Sequence, residues 1–447
     1  MATRSAKWLW IGLGFLCAVC GLSGVLMYKF LTNLLVGDLS ELAAAVEKER
    51  AETRRQGIPV EPEDLQRTPA VPPDQNAAPL YREAFRKLPE IPSDVDQAIQ
   101  RVLRNEAFEA DFTQVAAKFD GLEPWLQTVI RATRLPSCDF ERDWSQGMYL
   151  ELPELAEMKK CAKWLTIRGV IAARRGNVAK FEESIRAASQ IGVHLSQEPI
   201  LISSLVQIAS DQVAQQGIAA ALRANPSNAA LLSASKKVLL SSFPRPDLKS
   251  ILGGECVLTV AAIRRLTNLN ELYPEASASE SLSMSSAVTP EMKKAFETQY
   301  LRKLRECVQI VAKYDEDYLL QAEALQGLVR TKRTIPRIID LVDMALFPAI
   351  EQVSHSIGRH QARYELTKAY VAILDFHRTK KRWPKDLAEV GEFVDPLAKR
   401  PLRYFPSDGG FTIYSVGVDG RDDGGRERRE AGPTDSPTAF DEVMKFP

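Results

Sequence analysis

The amino-acid sequence predicts a mainly α-helical protein: an N-terminal transmembrane helix, a helical-hairpin array partly of tetratricopeptide type, and a small C-terminal α+β head with an antiparallel hairpin. Three observations lead there. The run Trp8–Tyr28 holds no charged residue and is long enough to cross a bilayer. Apolar residues recur three and four positions apart through most of the chain, the period of an amphipathic helix. After about residue 380 the style changes to short apolar runs bounded by Pro, Asp and Gly, which is strand and turn chemistry. The expected organisation is a cytoplasmic tip and anchor over 1–31, a stalk helix and Pro-rich linker over 32–75, a helical body over 76–355, and the head and tail over 356–447.

The chain has 447 residues, with 58 Lys+Arg against 58 Asp+Glu. The zero net charge lacks the basic excess expected of a nucleic-acid partner. The one basic run, RERRE at 426–430, mixes signs, contains no aromatic residue and reads as a solvated tail. No P-loop, G-x-S-x-G, H-E-x-x-H or G-x-G-x-x-G occurs, so no nucleotide or catalytic signature is expected.

As a helix, the segment Trp8–Tyr28 spans about 31 Å, matching a bilayer core of about 30 Å. Trp8, Trp10 and Tyr28 stand near its ends, where interfacial aromatics gather. Arg4 and Lys7 precede it, while Asp38, Glu41 and Glu47 follow Lys29. That asymmetry predicts a cytoplasmic N-terminus and an extracytoplasmic, periplasmic body. A cleaved signal peptide has a shorter apolar core and a small-residue cleavage site, and neither is present. Cys17 and Cys20 behave as apolar residues within the anchor. In an oxidising compartment Cys138–Cys161 and Cys256–Cys307 are the pairs nearest in sequence; four buried free thiols are the alternative.

Leu35, Leu39, Leu42 and Val46 stripe a helix whose other faces are charged, suiting a stalk or the start of the body. Residues 58–75 are Pro-rich and extended. Asn76 is placed to cap the next helix, and Phe108, Phe112, Val115 and Phe119 form a core stripe. The segment 135–155 is irregular and reads as a plug at the end of a helical layer. Over 154–195 two helices meet at RRGN, with Gly176 ending the first and Gly169, Ala172 and Ala188 permitting close packing. This hairpin is tetratricopeptide-like without a strict repeat, and the stacking continues to Phe243. A Ser/Ala-rich break at 273–290 precedes long helices at about 291–330 and 334–378. Ala362, Leu366, Ala369, Ile373 and Phe376 then make one helical face. PLRYF and FTIYSV read as strands joined by PSDGG.

On Trp383-Pro384, Asp395-Pro396, Tyr404 and Tyr414-Ser415-x-Gly417-x-Asp419-Gly420, the C-terminal region resembles the globular head of the type II secretion major pseudopilin. The prepilin-peptidase site of that family is missing: the anchor's only Gly-Phe is Gly14-Phe15, and Val19 stands where a Glu is required. The layout, with Asn76 to Tyr81 opening the body, is similar to a loose set of single-anchor proteins of planctomycete-type bacteria, which implies no activity. The pseudopilin resemblance implies calcium at the last loop, with Asp419, Asp422 and Asp423 as metal ligands. Against it, Arg426, Arg428 and Arg429 follow closely; the alternative is a tight turn held by aspartates and glycines.

Two further groups carry chemistry. Asp139, Glu141 and Asp143 in CDFERDW are candidate carboxylates for a cleft, or else capping and solvated acids. Of the four histidines, His355 and His360 are five apart and project about 140° apart on a helix, unable to share a metal. Glu351 and His355 read as a surface pair, His377 sits near a helix C-terminus, and His194 stands alone. The expected function is a non-enzymatic, membrane-anchored extracytoplasmic scaffold with an envelope protein partner. The alternatives are an exported hydrolase using the 135–155 carboxylates and an accessory component of a type II-like secretion system.

Overall fold

The computed structural model describes residues 39–104, 106–268, 271, 287–329, 347, 350–427 and 440–446. The expected anchor Trp8–Tyr28 lies outside them, as do most of the Ser/Ala-rich break and residues 428–439. Among the described residues no helix is long and apolar enough to cross a membrane. They form a mainly helical protein with a small antiparallel sheet at the C-terminal end. The chain divides into two compact units, one of residues 59–261, 307–326 and 349–447, the other of residues 1–58, 262–306 and 327–348.

In the second, smaller unit, α1 (Leu39–Arg55) turns a charged face inward. Glu49 is buried and accepts from Arg302 Nε at 2.8 Å and from Arg305. Arg305 also donates to Thr53 Oγ1 at 3.0 Å. A second carboxylate, Glu297, accepts from Arg50 Nη2 at 2.7 Å and Arg264 Nη2 at 3.0 Å. Burial pushes the Glu49 carboxyl up, but the bonds from Arg305 and Arg302 outweigh it and its pKa falls below the ordinary value. One of the charged faces expected of a stalk or the start of the body places Glu49 in this unit's interior, where Glu297 is buried as well.

The larger unit is built from helical hairpins. Its helices begin with α2 (Ala78–Arg86), α3 (Ser93–Arg104), α4 (Glu109–Thr133), α5 (Pro153–Arg174), α6 (Val178–Leu195), α7 (Leu201–Ala224) and α8 (Ala229–Ser241). Gly176, at φ +78°, ends α5 where an L side chain is strained, and Asn177 caps α6 by accepting from Lys180 N at 3.0 Å. α5 packs along both α6 and α7. A Cβ on Gly217 of α7 would stand 2.2 Å from Thr166 Cγ2, so α5 and α7 approach as closely as glycine allows. Phe112, Val115 and Phe119 are buried as expected, but Phe108 is 76% exposed. It precedes the first turn of α4, in extended backbone that does not follow the helical stripe.

Helices α9 (Leu248–Arg265), α10 (Pro290–Lys313) and α11 (Tyr318–Val329) follow. The helix expected over 291–330 is therefore two. The break falls at 314–317, where Asp317 turns to accept from Leu320 N at 3.1 Å. The long α12 (Ile350–Lys380) packs across α7 and α8 and carries the sheet on its second half. Leu366, Ala369, Tyr370 and Ile373 join one continuous core running from Tyr81 through Phe181 to Phe411 and Met444. Each fully buried Leu, Ile or Phe there stabilises by about 1.5–3 kcal/mol.

Strands β1 (Val394–Asp395) and β2 (Arg400–Pro401) form a two-residue ladder. Next, β3 (Arg403–Pro406), β4 (Phe411–Ser415) and β5 (Glu442–Phe446) form an antiparallel sheet in the order β3-β4-β5. The hairpin over PSDGG is as expected, with Tyr404 opposite Ile413. Within the head and tail expected over 356–447, β5 is a strand that the sequence did not announce: Met444 pairs with Ile413 and reaches the core. Cys138, Cys161, Cys256 and Cys307 are buried free thiols.

Candidate functional site

The acidic loop after β4 uses two of its three carboxylates to hold the head together. Asp422 Oδ1 accepts from Tyr414 Oη at 2.9 Å and Gly424 N at 3.1 Å, and Oδ2 from Arg403 Nε at 3.0 Å. Asp419 accepts from Arg421 N at 3.1 Å, closing its own turn. Asp423 is exposed. Gly424 and Gly425 take φ of +73° and +79°, which lets the loop fold back on Tyr414. Among the described residues no three His, Cys, Asp or Glu groups come together as a metal site. These residues do not assemble the six to eight oxygens that calcium takes.

Of the 138–144 acids, Asp139 and Asp143 are similarly employed and Glu141 is exposed. Asp139 Oδ1 accepts from Glu141 N at 2.8 Å, and its Oδ2 stands 3.9 Å from Arg67 Nε. Asp143 caps a short 3-10 turn, accepting from Ser145 N at 3.1 Å and Ser145 Oγ at 2.6 Å. Asn76 latches this segment to α2, with Oδ1 accepting from Ala78 N at 3.1 Å and Asp139 N at 2.9 Å. Cys138 and Phe140 enter the core, as befits a plug.

The histidines have separate duties. His377 stacks on Trp383 with ring centroids 3.8 Å apart. His194 is buried, its Nε2–H donating to Leu135 O at 2.8 Å. Its Nδ1 then accepts from Tyr81 Oη at 2.9 Å. His360 Nε2 lies 3.0 Å from Asp211 Oδ2, both side chains being 0% exposed. Burial lowers the His355 pKa, Arg359 adding to that and Glu351 opposing it.

The feature that sequence reading missed is a recess of about 840 Å³ in the larger unit, walled by α7, α12 and β5. α7 presents Gln212, Gln215, Gln216 and Arg223 to it, and α12 presents Arg359, Arg363 and Thr367. Gln215 is 1% exposed, yet neither Oε1 nor Nε2 has a hydrogen-bond partner. Arg223 Nη2 donates to Lys445 O at 3.0 Å, while its Nε is buried without a hydrogen bond. Arg363 pairs with Glu442, and Lys445 with Glu427 at 3.1 Å. Asp441 Oδ2 accepts from Gly425 N at 2.7 Å, and burial raises its pKa. The sequence signal was the spacing of Gln212, Gln216 and Arg223 along one helical face, but polar residues on a helix are ordinarily solvated. Only the tertiary fold shows that this face lines a recess.

Comparison with family models, with curated proteins and with solved structures finds no match to this chain.

Proposed function

We propose that the protein is a membrane-anchored extracytoplasmic scaffold whose larger unit binds a partner. The observation that carries this reading is the recess between α7, α12 and β5. It is within the size range of small-ligand pockets, about 300–1,000 Å³, and a buried amide and guanidinium inside it retain hydrogen-bonding capacity. A polar group enclosed without a partner costs stability, and a ligand that bonds these two would offset that cost. Membrane attachment rests on the uncharged Trp8–Tyr28 segment, which holds the recess near the membrane and raises its effective concentration for envelope partners.

The finer assignments belong to the same proposal. The tetratricopeptide-like character is supported by the α5–α6 hairpin with its glycine-mediated turn. The pseudopilin-like head is supported by the order of α12, the Trp383-Pro384 turn and β3–β4. Within it, Tyr404 Oη donates to Pro384 O at 3.0 Å. Buried Asp395 accepts from Leu397 N at 2.9 Å, Ser415 Oγ at 2.8 Å and Val416 N at 2.9 Å. No specific contact favours the hydrolase reading, since Asp139 and Asp143 already serve turn and cap. The test is accessibility in spheroplasts. Externally added protease is expected to digest the body in intact spheroplasts, and deletion of residues 1–31 to release it from membranes. A body protected until lysis overturns the assignment.

A further inference from the structure

We propose that the recess binds the carboxylate-bearing end of an extended peptide. This deepens the scaffold reading and rests on it in taking the recess for a partner's site.

Three observations define the ligand. First, Gln215 presents a donor and an acceptor side by side, both enclosed and both without a partner. A primary amide in that state is complementary to a group offering an acceptor and a donor side by side, as an extended peptide residue does with its C=O and N–H. Second, the guanidinium of Arg223 lines the recess and is fixed there by its bond to Lys445 O and by the Tyr370 ring, whose centroid lies 5.9 Å away. A guanidinium is the side chain whose planar donors best match a carboxylate. Gln215 and Arg223 lie eight residues apart on α7, so about 12 Å separates them along the axis. That distance is three to four residues of extended chain, and it points to a peptide rather than a single small acid. Third, β5 pairs with β4 on one edge and with no strand on its other edge among the described residues. Residues 442–445 of that strand line the recess. A strand edge is a ready template for added chain, so the ligand lies extended along β5, its backbone read by Gln215 and its terminal carboxylate held at Arg223.

The experiment uses the purified full chain in detergent micelles. The probe is an equimolar mixture of N-acetylated pentapeptides, Ac-Ala-Ala-Ala-Ala-X, with every residue at X and a free C-terminal carboxylate. It is run beside the same mixture with C-terminal amides, and beside N-acetyl-alanine alone. The free acids are expected to raise the thermal midpoint saturably, and the amides to bind at least about tenfold more weakly, a difference in affinity of about 1.4 kcal/mol. Gln215→Leu is expected to abolish the shift while leaving the ligand-free midpoint equal or higher, since it removes an unpartnered buried amide. Arg223→Lys, which keeps the charge and loses the planar fork, is expected to weaken binding of the acids and not of the amides. Equal shifts from acids and amides, a response that survives Gln215→Leu, or no shift from any peptide overturns the proposal. So does N-acetyl-alanine binding as tightly as the pentapeptides. Membrane topology and peptide binding are separate measurements, so either reading can fail without the other.

Discussion

His194 and His360 are both enclosed in the larger unit, at 1% and 0% exposure, but the fold meets the cost of burying an imidazole in opposite ways. His194 is given neutral partners, Tyr81 Oη and Leu135 O, so its ring is fixed in one tautomer and kept uncharged. Burial lowers its pKa to about 4, the bond to Leu135 opposing the fall. His360 is given a carboxylate, Asp211, whose other oxygen has no hydrogen-bond partner and rests against Gly192. Burial raises the Asp211 pKa, with the His360 bond opposing it. Burial drives both shifts, downward for the imidazole of His194 and upward for the carboxyl of Asp211, and the bonded partner opposes each.

The comparison can be broken most forcefully at Asp211. Asp211→Ala is expected to cost about 3 kcal/mol in chemical denaturation, because it leaves His360 enclosed without its partner and opens a small cavity. Asp211→Asn keeps a polar partner at the same place and is expected to cost clearly less. Equal costs for the two variants would show that the carboxylate's charge, and not its shape, is what His360 requires.

The next effect is titration, where the two sites carry opposite signs. For His194 the folded pKa, about 4, lies below the ordinary 6.5. The unfolded chain therefore takes the proton first, and stability present above pH 6.5 is lost as pH falls towards 4. The loss is about 3 kcal/mol at about 1.4 kcal/mol per unit. For Asp211 the folded pKa is raised above 3.8, so its contribution is complete below that pH and is lost as pH rises through the folded value. Denaturation midpoints of His194→Phe should lack the acid-side loss, and those of Asp211→Asn the loss on raising the pH. Superimposable pH profiles for wild type and His194→Phe would remove the first assignment.

Smaller effects sharpen the contact geometry. A Cβ at residue 192 would stand 2.3 Å from Asp211 Oδ1, so Gly192→Ala is expected to destabilise by about 1–3 kcal/mol, the cost of overpacking. Combined with Asp211→Ala the penalty should shrink, and full additivity would argue against the contact. Smallest is Tyr81→Phe, which removes one hydrogen bond to His194 and should cost about 1 kcal/mol. It should also alter the acid-side profile and leave the behaviour of Asp211 unchanged.

Local pattern made much of the fold legible. Phe112, Val115 and Phe119 announced a buried stripe, Gly176-Asn177 a helix junction, and PSDGG a hairpin, because each is a rule about neighbours in sequence. Phe108 misled, since the same spacing continued past the end of the helix into extended backbone. β5 was invisible because EVMKF has no strong alternation of its own; it becomes a strand by pairing with Tyr414 and Ile413. The candidate site was less legible still. Asp419, Asp422 and Asp423 stood out as a cluster, but bonds to Arg403, Tyr414 and the loop backbone spend Asp422 and Asp419 on structure, and Asp423 is exposed. Gln215 and Arg223 are ordinary residues on an ordinary helix until α12 and β5 enclose them.

What the sequence by itself determined is the class of the molecule: amphipathic helices with glycine and asparagine at their junctions, a short sheet near the C-terminal end, and an uncharged segment of bilayer length. These follow from periodicity and backbone preference, which act over a few residues. What only the tertiary structure decided is the partnership of the buried polar groups. Glu49 meets Arg305, Asp211 meets His360, Asp395 meets Ser415, and Gln215 meets nothing. A helical pattern specifies which face turns inward, but not what stands opposite it. The energy of a buried charge or amide depends on that opposite group.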